Sequence, residues 1–320
     1  MLHVRQITMN RLEVLMRRIV ILTTATLLLI IGAAVAGASD TVPIEERGYA
    51  NTESLISAEE LKDIKDRDSV KVVDIRNLTG FASGHIPGAV RIAPDDLADA
   101  SAHVNHIALD ADETASLLAD NGIRSEDTVV VYCGNGVWSA RAWWLLSMYG
   151  HEDVRFLDGG IERWKALDFD TRTFGGRSSS AEFAFAGSSN PELMATRDDV
   201  LAALENETVI LDVRARGEYT GEDVLSGAGE GGRVPGAVWV EWSEAVNDDG
   251  TLKAASELES LYAEHGITGS EMIIPYCQGG VRSAHTTFVL SELLGYDVAN
   301  YDGSWLDWSN AGDVPIETGS

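Results

Sequence analysis

The chain has 320 residues, of which 45% are hydrophobic and 23% are charged, and its formal net charge is −27. That length predicts about two domains of ordinary size, and the hydrophobic content is sufficient for two packed cores. The acidic excess argues against a nucleic-acid partner and against binding to anionic membranes, because both carry negatively charged phosphates.

The N-terminal 38 residues have the pattern of a secretory signal peptide. Met16 precedes two arginines, an apolar run over residues 19–36 and two A-x-A sites that end at Ala36 and Ala38. A basic start, a hydrophobic middle and a small-residue cleavage site are typical of export signals. The apolar run is also just long enough to cross a bilayer, so an uncleaved membrane tether through residues 19–36 is the alternative. We expect an exported protein, periplasmic or otherwise extracytoplasmic.

The remainder of the chain alternates between short apolar runs and longer runs of helical periodicity. In the first half, strands are predicted at residues 70–75, 89–92, 128–132 and 154–157, and helices at 58–65, 112–121 and 139–149. In the second half, strands are predicted at 209–213, 237–240, 272–276 and 298–301, and helices at 196–205, 254–265 and 283–294. This alternation predicts an α/β fold in which each half is a parallel sheet flanked by helices.

The two halves repeat one another over most of their length. An apolar strand ending in D-x-R occurs at Asp74–Arg76 and again at Asp212–Arg214. Two further patterns recur in the same order, namely His85-Ile86-Pro87-Gly88-Ala89-Val90 with Arg233-Val234-Pro235-Gly236-Ala237-Val238, and Leu157-Asp158-Gly159-Gly160 with Tyr301-Asp302-Gly303-Ser304. A repeat this long indicates a domain duplication. We predict a first domain at residues 50–172, a Gly- and Ser-rich linker at 173–190 and a second domain at 191–318.

The only two cysteines lie in a repeated motif, Y-C-x-x-G-V-x-S-A, which begins at Tyr132 and again at Tyr276. Cys133 and Cys277 each follow a predicted strand and precede a predicted helix. In that place a thiol lies among unpaired backbone N–H groups and near the positive end of the helix dipole, which lowers its pKa. The duplication therefore predicts two loops built for thiol chemistry.

These patterns together resemble the tandem rhodanese-domain sulfurtransferases, over residues 50–318. Phe81 with His85-Ile86-Pro87-Gly88-Ala89 is similar to the N-terminal signature of that family. The segment from Val298 to Trp308, with Tyr301-Asp302-Gly303-Ser304-Trp305, is similar to its C-terminal signature, although Asp307 replaces the usual Glu. The resemblance implies two rhodanese-like domains and transfer of sulfane sulfur through a cysteine persulfide, with ping-pong kinetics and without a cofactor or metal.

The resemblance makes Cys277 the first candidate nucleophile and Cys133 the second. Around Cys277 the loop residues expected to bind substrate are Gln278, Gly279, Gly280, Val281 and Arg282, and around Cys133 they are Gly134, Asn135, Gly136, Val137 and Trp138. Each loop is expected to curl so that its backbone N–H groups point inward and hold an anion. The loop is one residue shorter than the C-x5-R loop of cysteine phosphatases, and the resemblance implies that this shorter loop suits sulfur and not phosphate.

Other residue patterns have simpler interpretations. A disulfide between Cys133 and Cys277, and a zinc site at His103 and His106, are the alternatives to thiol chemistry. The remaining conspicuous polar and aromatic residues are interpreted as structural: His85 as a packed loop residue, the D-x-R residues as ion pairs, Asp158 and Asp302 as turn caps, and Trp143 and Trp144 as core.

The sulfur donor is the least determined part of the prediction. Related thiosulfate and mercaptopyruvate enzymes carry an Arg a few residues beyond D-x-R, where this chain has Glu218. Arg282, Arg216 and Arg233 are the remaining cations expected near the mouth, and Arg282 is expected to attract an anionic donor. Thiosulfate is favoured over 3-mercaptopyruvate because export exposes the protein to inorganic sulfur. Cyanide, a small thiol or a protein thiol is the expected acceptor, and a persulfide carrier without efficient turnover is the alternative function.

Overall fold

The computed structural model describes residues 42–175 and 178–319. The predicted signal or anchor segment, residues 1–38, lies outside the described residues. Among the residues described, no helix is both long enough and apolar enough to cross a membrane.

Five parallel strands form the sheet of the first half, in the order β1-β5-β4-β2-β3. The strands are β1 (Leu55–Ile56), β2 (Val70–Asp74), β3 (Val90–Arg91), β4 (Thr128–Tyr132) and β5 (Val154–Leu157). The helices are α1 (Ala58–Ile64), α2 (Leu78–Ala82), α3 (Ala111–Asp120), α4 (Val137–Met148) and α5 (Gly160–Ala166). The middle of β4 is a run of three valines that are all buried, as expected for a parallel strand covered on both faces.

The second half repeats this arrangement. Its strands are β6 (Met194–Ala195), β7 (Val209–Asp212), β8 (Val238–Trp239), β9 (Ile273–Tyr276) and β10 (Asn300–Tyr301). Its helices are α6 (Arg197–Ala203), α7 (Arg216–Thr220), α8 (Ala255–Ala263), α9 (Val281–Phe288) and α10 (Ser304–Asn310). Strands β8-β7-β9 form one parallel sheet and β10-β6 another, and a parallel bridge between Ile273 and Val298 places the two side by side. The resulting order matches that of the first half.

The predicted α/β class, with a parallel sheet flanked by helices in each half, is confirmed. The edge strands β1 and β6 were not predicted because the apolar runs at residues 55–56 and 193–195 are too short to show an alternating pattern. The short helices α2 and α7, five residues each, were missed for the same reason. The helix predicted at 283–294 is α9 followed by one π-helical turn at Val289–Leu293.

Helices α4 and α9 pack together and join the two halves through a shared core. The Phe288 ring makes an edge contact with Trp143 and stacks on Phe156, with ring centroids 4.8 and 4.9 Å apart. Trp143 and Trp144 are buried, which confirms their interpretation as core residues. Since α4 begins at the end of the Cys133 loop and α9 at the end of the Cys277 loop, this packing brings both loops to the interface between the halves.

Two loops cross this interface in opposite directions. Residues 98–108 of the first half are closed by an antiparallel bridge between Ala98 and Ala108, and residues 246–252 of the second half by one between Val246 and Leu252. The Ala108 N–H donates to Asp302 and the Leu252 N–H donates to Asp158, each over 2.9 Å. Each half therefore sends a loop to the aspartate that follows the last strand of the other half.

Candidate active site

The Cys277 loop connects β9 to α9 and forms a cradle for the thiol. Gly280 is the N-cap residue of α9 and has φ of 76°, a conformation that glycine adopts without strain. The backbone N–H groups of Gly279 and Ser283 donate to the Cys277 sulfur, and the Ser283 hydroxyl lies 3.6 Å from it. The N–H groups around the sulfur therefore form a small site for a negative charge.

The Cys277 thiol is buried, with 1% of its surface exposed. Burial by itself raises the pKa of this thiol, but the charge of Arg282 and the hydrogen bonds from Ser283 and Gly279 outweigh it. The pKa of Cys277 is therefore lower than that of an ordinary thiol. Because the thiolate is the nucleophilic form, this loop activates the cysteine.

Arg282 lowers the pKa of Cys277, and it also forms an ion pair within the second domain. Its two terminal nitrogens donate to the two carboxylate oxygens of Glu218 over 2.7 and 2.8 Å. Burial raises the pKa of Glu218, but Arg282 overcomes this effect and the pKa lies below its usual range. Arg282 is therefore balanced by a carboxylate.

The other two cations expected at the mouth have partners as well. Arg233 forms an ion pair with Glu317. The Arg216 guanidinium lies over the rings of Tyr219 and Trp239, 4.9 and 5.0 Å from their centroids. Arg233 is thus balanced by a carboxylate, whereas Arg216 keeps its positive charge over the two rings.

The floor of the Cys277 loop is fixed from α10. The Ser304 hydroxyl accepts hydrogen bonds from the backbone N–H groups of Cys277 and Gly280, over 3.1 and 3.0 Å. Beneath the loop, the Tyr276 hydroxyl donates to Asp212, which also forms a 2.6 Å ion pair with Arg214. The D-x-R residues thus hold strand ends, as predicted, and the same pairing joins Asp74 to Arg76 in the first half.

The first half covers the Cys277 loop with a histidine that the sequence did not assign to the site. A Cβ placed on Gly279 would lie 3.2 Å from the His106 ring and 3.3 Å from the Leu306 side chain. His106 has φ of 71°, and its carbonyl accepts a 2.6 Å hydrogen bond from Arg141. Burial and the charge of Arg141 lower the pKa of the His106 imidazole, so a neutral ring lies beside the loop.

Only weak sequence signals could have identified His106. His106 lies two residues before Ala108, and Gly250 lies two residues before Leu252, so Gly250 is the counterpart of His106 in the second half. Gly250 also has a positive φ. A histidine where the repeat has glycine is such a signal, because the left-handed conformation disfavours most side chains. No cluster of three or more metal-ligating side chains occurs within the described residues, and the zinc interpretation therefore gains no support.

The Cys133 loop has the same form but different surroundings. The Cys133 sulfur lies 3.3 Å from the Ser139 hydroxyl and 3.8 Å from the Asn135 amide oxygen. Gly136 is the N-cap residue of α4 with φ of 87°. Gly134 and Asn135 are exposed, whereas the corresponding part of the other loop is largely buried. Both cysteines are free thiols, so the disulfide alternative is wrong.

Trp138 takes the place that Arg282 has in the second loop. Its ring makes an edge contact with His106, with centroids 5.7 Å apart. His106 therefore contacts Trp138 at the end of one loop and Gly279 in the other. Val137 and Val281 are the first residues of α4 and α9, and they direct each loop into its helix.

Two of the remaining interpretations can be compared with the structure. His85 is buried and stacked on Phe81, with centroids 3.7 Å apart, which fits a packed loop residue. The interpretation of Asp158 and Asp302 as turn caps is wrong. Asp158 pairs with Arg47 over 2.7 Å and Asp302 with Arg141 over 2.5 Å, so both aspartates anchor contacts between separate segments.

Comparison with known proteins agrees with this geometry. The Rhodanese-like domain family matches residues 57–167 and 196–311. A protein of Mycolicibacterium smegmatis named "Putative thiosulfate sulfurtransferase" is 39% identical over 253 residues, which cover 76% of this chain and 89% of that protein. The "Sulfur carrier protein TtuD" of Thermus thermophilus is 37% identical over 287 residues, covering 85% of this chain and 99% of the relative.

Two solved structures are also similar to this chain over most of its length. The anaerobic ergothioneine biosynthesis enzyme of Chlorobium limicola, solved with trimethyl histidine, has a TM-score of 0.75 and 27% identity, covering 88% of this chain and 73% of that one. A structure of an EanB variant with a cysteine persulfide and ergothioneine has a TM-score of 0.76 and 26% identity, covering 88% and 74%. The chain thus belongs to the rhodanese-like sulfurtransferases and contains two rhodanese-like domains.

Proposed function

We propose that this protein transfers sulfane sulfur from thiosulfate to a thiophilic acceptor through a persulfide on Cys277. The observation that carries the proposal is the Cys277 thiol itself, which is buried among inward-facing N–H groups and has a lowered pKa. Relatives named for thiosulfate sulfurtransferase activity and for sulfur carriage support persulfide chemistry. 3-Mercaptopyruvate is the second choice of donor.

In the first half-reaction the Cys277 thiolate attacks the outer sulfur of thiosulfate. A bond forms between the two sulfurs, the S–S bond of thiosulfate breaks, and sulfite leaves with its electron pair. The N–H groups of Gly279 and Ser283 then stabilise the terminal sulfur of the persulfide. Cyanide or a thiolate attacks that sulfur in the second half-reaction, and the Cys277 thiolate is the leaving group.

A steady-state assay with thiosulfate and with 3-mercaptopyruvate, each with cyanide as acceptor, tests this proposal. Cys277→Ser should lower the thiosulfate-dependent rate by about 10³-fold or more, as expected on loss of a catalytic nucleophile, whereas Cys133→Ser should retain most of it. If Cys133→Ser is the more damaging change, the assignment of Cys277 as main nucleophile is wrong. A higher kcat/KM with 3-mercaptopyruvate would overturn the choice of donor.

The Glu218–Arg282 pair favours a second candidate function, a persulfide carrier that is loaded by another protein. Because Glu218 balances Arg282, a dianionic donor meets little net attraction at this position. The carrier function predicts that Cys277 holds a stable persulfide while turnover with thiosulfate and cyanide stays negligible. Intact-mass measurement of the protein as isolated, looking for a gain of about 32 Da, distinguishes the two functions.

A further inference from the structure

The Cys133 loop keeps the cradle of the Cys277 loop but has lost its charged pair. Trp138 replaces Arg282, and Gly80 stands six residues after Asp74, the position that Glu218 has after Asp212. The first domain therefore has uncharged residues at both positions of the Arg282–Glu218 ion pair. A tryptophan ring provides a polarizable surface for sulfur, not a fixed charge.

The two loops also differ in accessibility. A Cβ built on Gly134 meets no atom within 4 Å, and Gly134 and Asn135 are exposed. Gly279, which corresponds to Asn135 in the repeat, is buried, and a Cβ built on it would lie 3.2 Å from His106 and 3.3 Å from Leu306. A donor that carries an organic group therefore has room beside the Cys133 loop that the Cys277 loop does not offer.

The second domain adds an unpaired polar side chain to the Cys133 loop. His285 of α9 is 1% exposed, and the Cδ2 and Nε2 atoms of its ring lie 3.3 and 3.4 Å from the Cβ position of Gly136. Its Nδ1, on the opposite side of the ring from those two atoms, is buried without a hydrogen-bond partner among the described residues. Leaving a buried polar atom unpaired costs about 1–3 kcal/mol, so the protein keeps this ring beside the loop at a cost in stability.

The surroundings of His285 keep its ring uncharged. Its neighbours are aromatic, with Phe156 and Trp242 in edge contact at centroid distances of 6.2 and 5.2 Å. Burial lowers the pKa of the His285 imidazole to about 4, so at neutral pH the ring offers one donor and one acceptor without a positive charge. A neutral polar group among aromatic rings suits an organic ligand better than a dianion.

We propose that Cys133 and His285 form a second sulfur-accepting site, which takes sulfur from an organic persulfide in preference to thiosulfate. The Cys133 thiolate attacks the outer sulfur of R–S–SH, a bond forms between these two sulfurs, and the S–S bond of the organic persulfide breaks. The organic thiolate R–S⁻ leaves with the electron pair, and Cys133 becomes the persulfide. The site shares the chemistry of the proposed function but does not depend on Cys277.

The test uses Cys277→Ser protein, in which Cys133 is the only cysteine, with the Cys133→Ser/Cys277→Ser double variant as the matched control. Each protein is mixed with glutathione persulfide or with thiosulfate, and intact mass is followed over time. Cys277→Ser should gain about 32 Da from glutathione persulfide at least about tenfold faster than from thiosulfate, and the double variant should gain nothing. Equal rates with both donors, no gain, or an equal gain in the double variant would overturn the proposal.

Two further changes in the Cys277→Ser background test the site's composition. His285→Phe should slow loading from glutathione persulfide about tenfold, with the melting temperature measured as a check on folding. Trp138→Arg, at a partly exposed position, should make Cys133 load faster from thiosulfate by restoring the missing cation. If His285→Phe folds and loads normally, or if Trp138→Arg leaves the donor preference unchanged, the site is not built as proposed. Failure of Cys277 in the steady-state assay would not affect any of these results.

Discussion

Arg282 and Glu218 form a bidentate ion pair beside the Cys277 thiol, with nitrogen–oxygen distances of 2.7 and 2.8 Å. Arg282 thus has two roles that compete. Its charge favours the Cys277 thiolate, while most of the attraction it offers to an approaching anion is cancelled by the carboxylate. The pair therefore activates the nucleophile without concentrating dianions at the mouth.

The Glu218→Gln substitution should release this charge. The amide oxygen of the new side chain can still accept one hydrogen bond from Arg282, so the arginine should keep its place. We expect the KM for thiosulfate to fall about fivefold at low salt, which corresponds to about 1 kcal/mol of added attraction, and the gain to shrink at high salt. Glu317→Gln, which breaks the Arg233 pair instead, is the matched control and should leave KM unaltered.

The pH dependence of alkylation should show that Cys277 is activated. In Cys133→Ser protein, the rate of reaction with iodoacetamide follows the thiolate fraction, so it rises with pH through the folded pKa and then levels off. Because that pKa is lowered, the inflection should lie below the free-thiol value of about 8.5. Arg282→Ala removes the largest favourable charge and should move the inflection upward. An inflection at or above the free-thiol value in the Cys133→Ser protein would contradict the activation argument.

The sequence was sufficient to predict the features that are local in the chain. Apolar runs such as that of β4, the D-x-R strand ends and the repeated cysteine motif each fall within a few residues, so their periodicity and spacing are visible directly. The repeat then predicted two parallel sheets and two loops at their carboxyl ends. Each of these predictions depended on short segments of the chain, taken singly or compared with their repeat.

The contacts between the domains could not be predicted in the same way. His106 reaches Gly279 from the other half of the chain, and Asp302 pairs with Arg141 across a similar separation. Glu218 was recognised as a lost positive charge, but its pairing with Arg282 depends on how α7 and the Cys277 loop pack. Side chains that meet only through tertiary packing leave no periodic signal.

Gly279 should tolerate a methyl group less well than Gly134 in the corresponding loop of the first domain. A Cβ on Gly279 would press on His106 at 3.2 Å and on Leu306 at 3.3 Å, whereas one on Gly134 meets nothing within 4 Å. We expect Gly279→Ala to lower the free energy of unfolding by about 1–3 kcal/mol and to reduce thiosulfate turnover severalfold. Gly134→Ala should change neither. Thermal unfolding and the cyanide-coupled assay measure both effects, and equal behaviour of the two variants would show that His106 does not confine the Cys277 loop.

The aspartates that anchor the crossing loops should contribute unequally to activity. Asp302→Asn leaves Arg141 buried without its counter-charge, and Asp158→Asn does the same to Arg47. Breaking a buried ion pair typically costs about 3–5 kcal/mol, so both variants should unfold at lower denaturant concentration.

Of these two aspartates, only Asp302 holds the loop that carries His106, because it accepts the Ala108 N–H. Under conditions where both proteins remain folded, Asp302→Asn should therefore reduce thiosulfate turnover by Cys277 more than Asp158→Asn does. If the two variants lose equal activity, the loop at residues 98–108 stabilises the protein without shaping the Cys277 site.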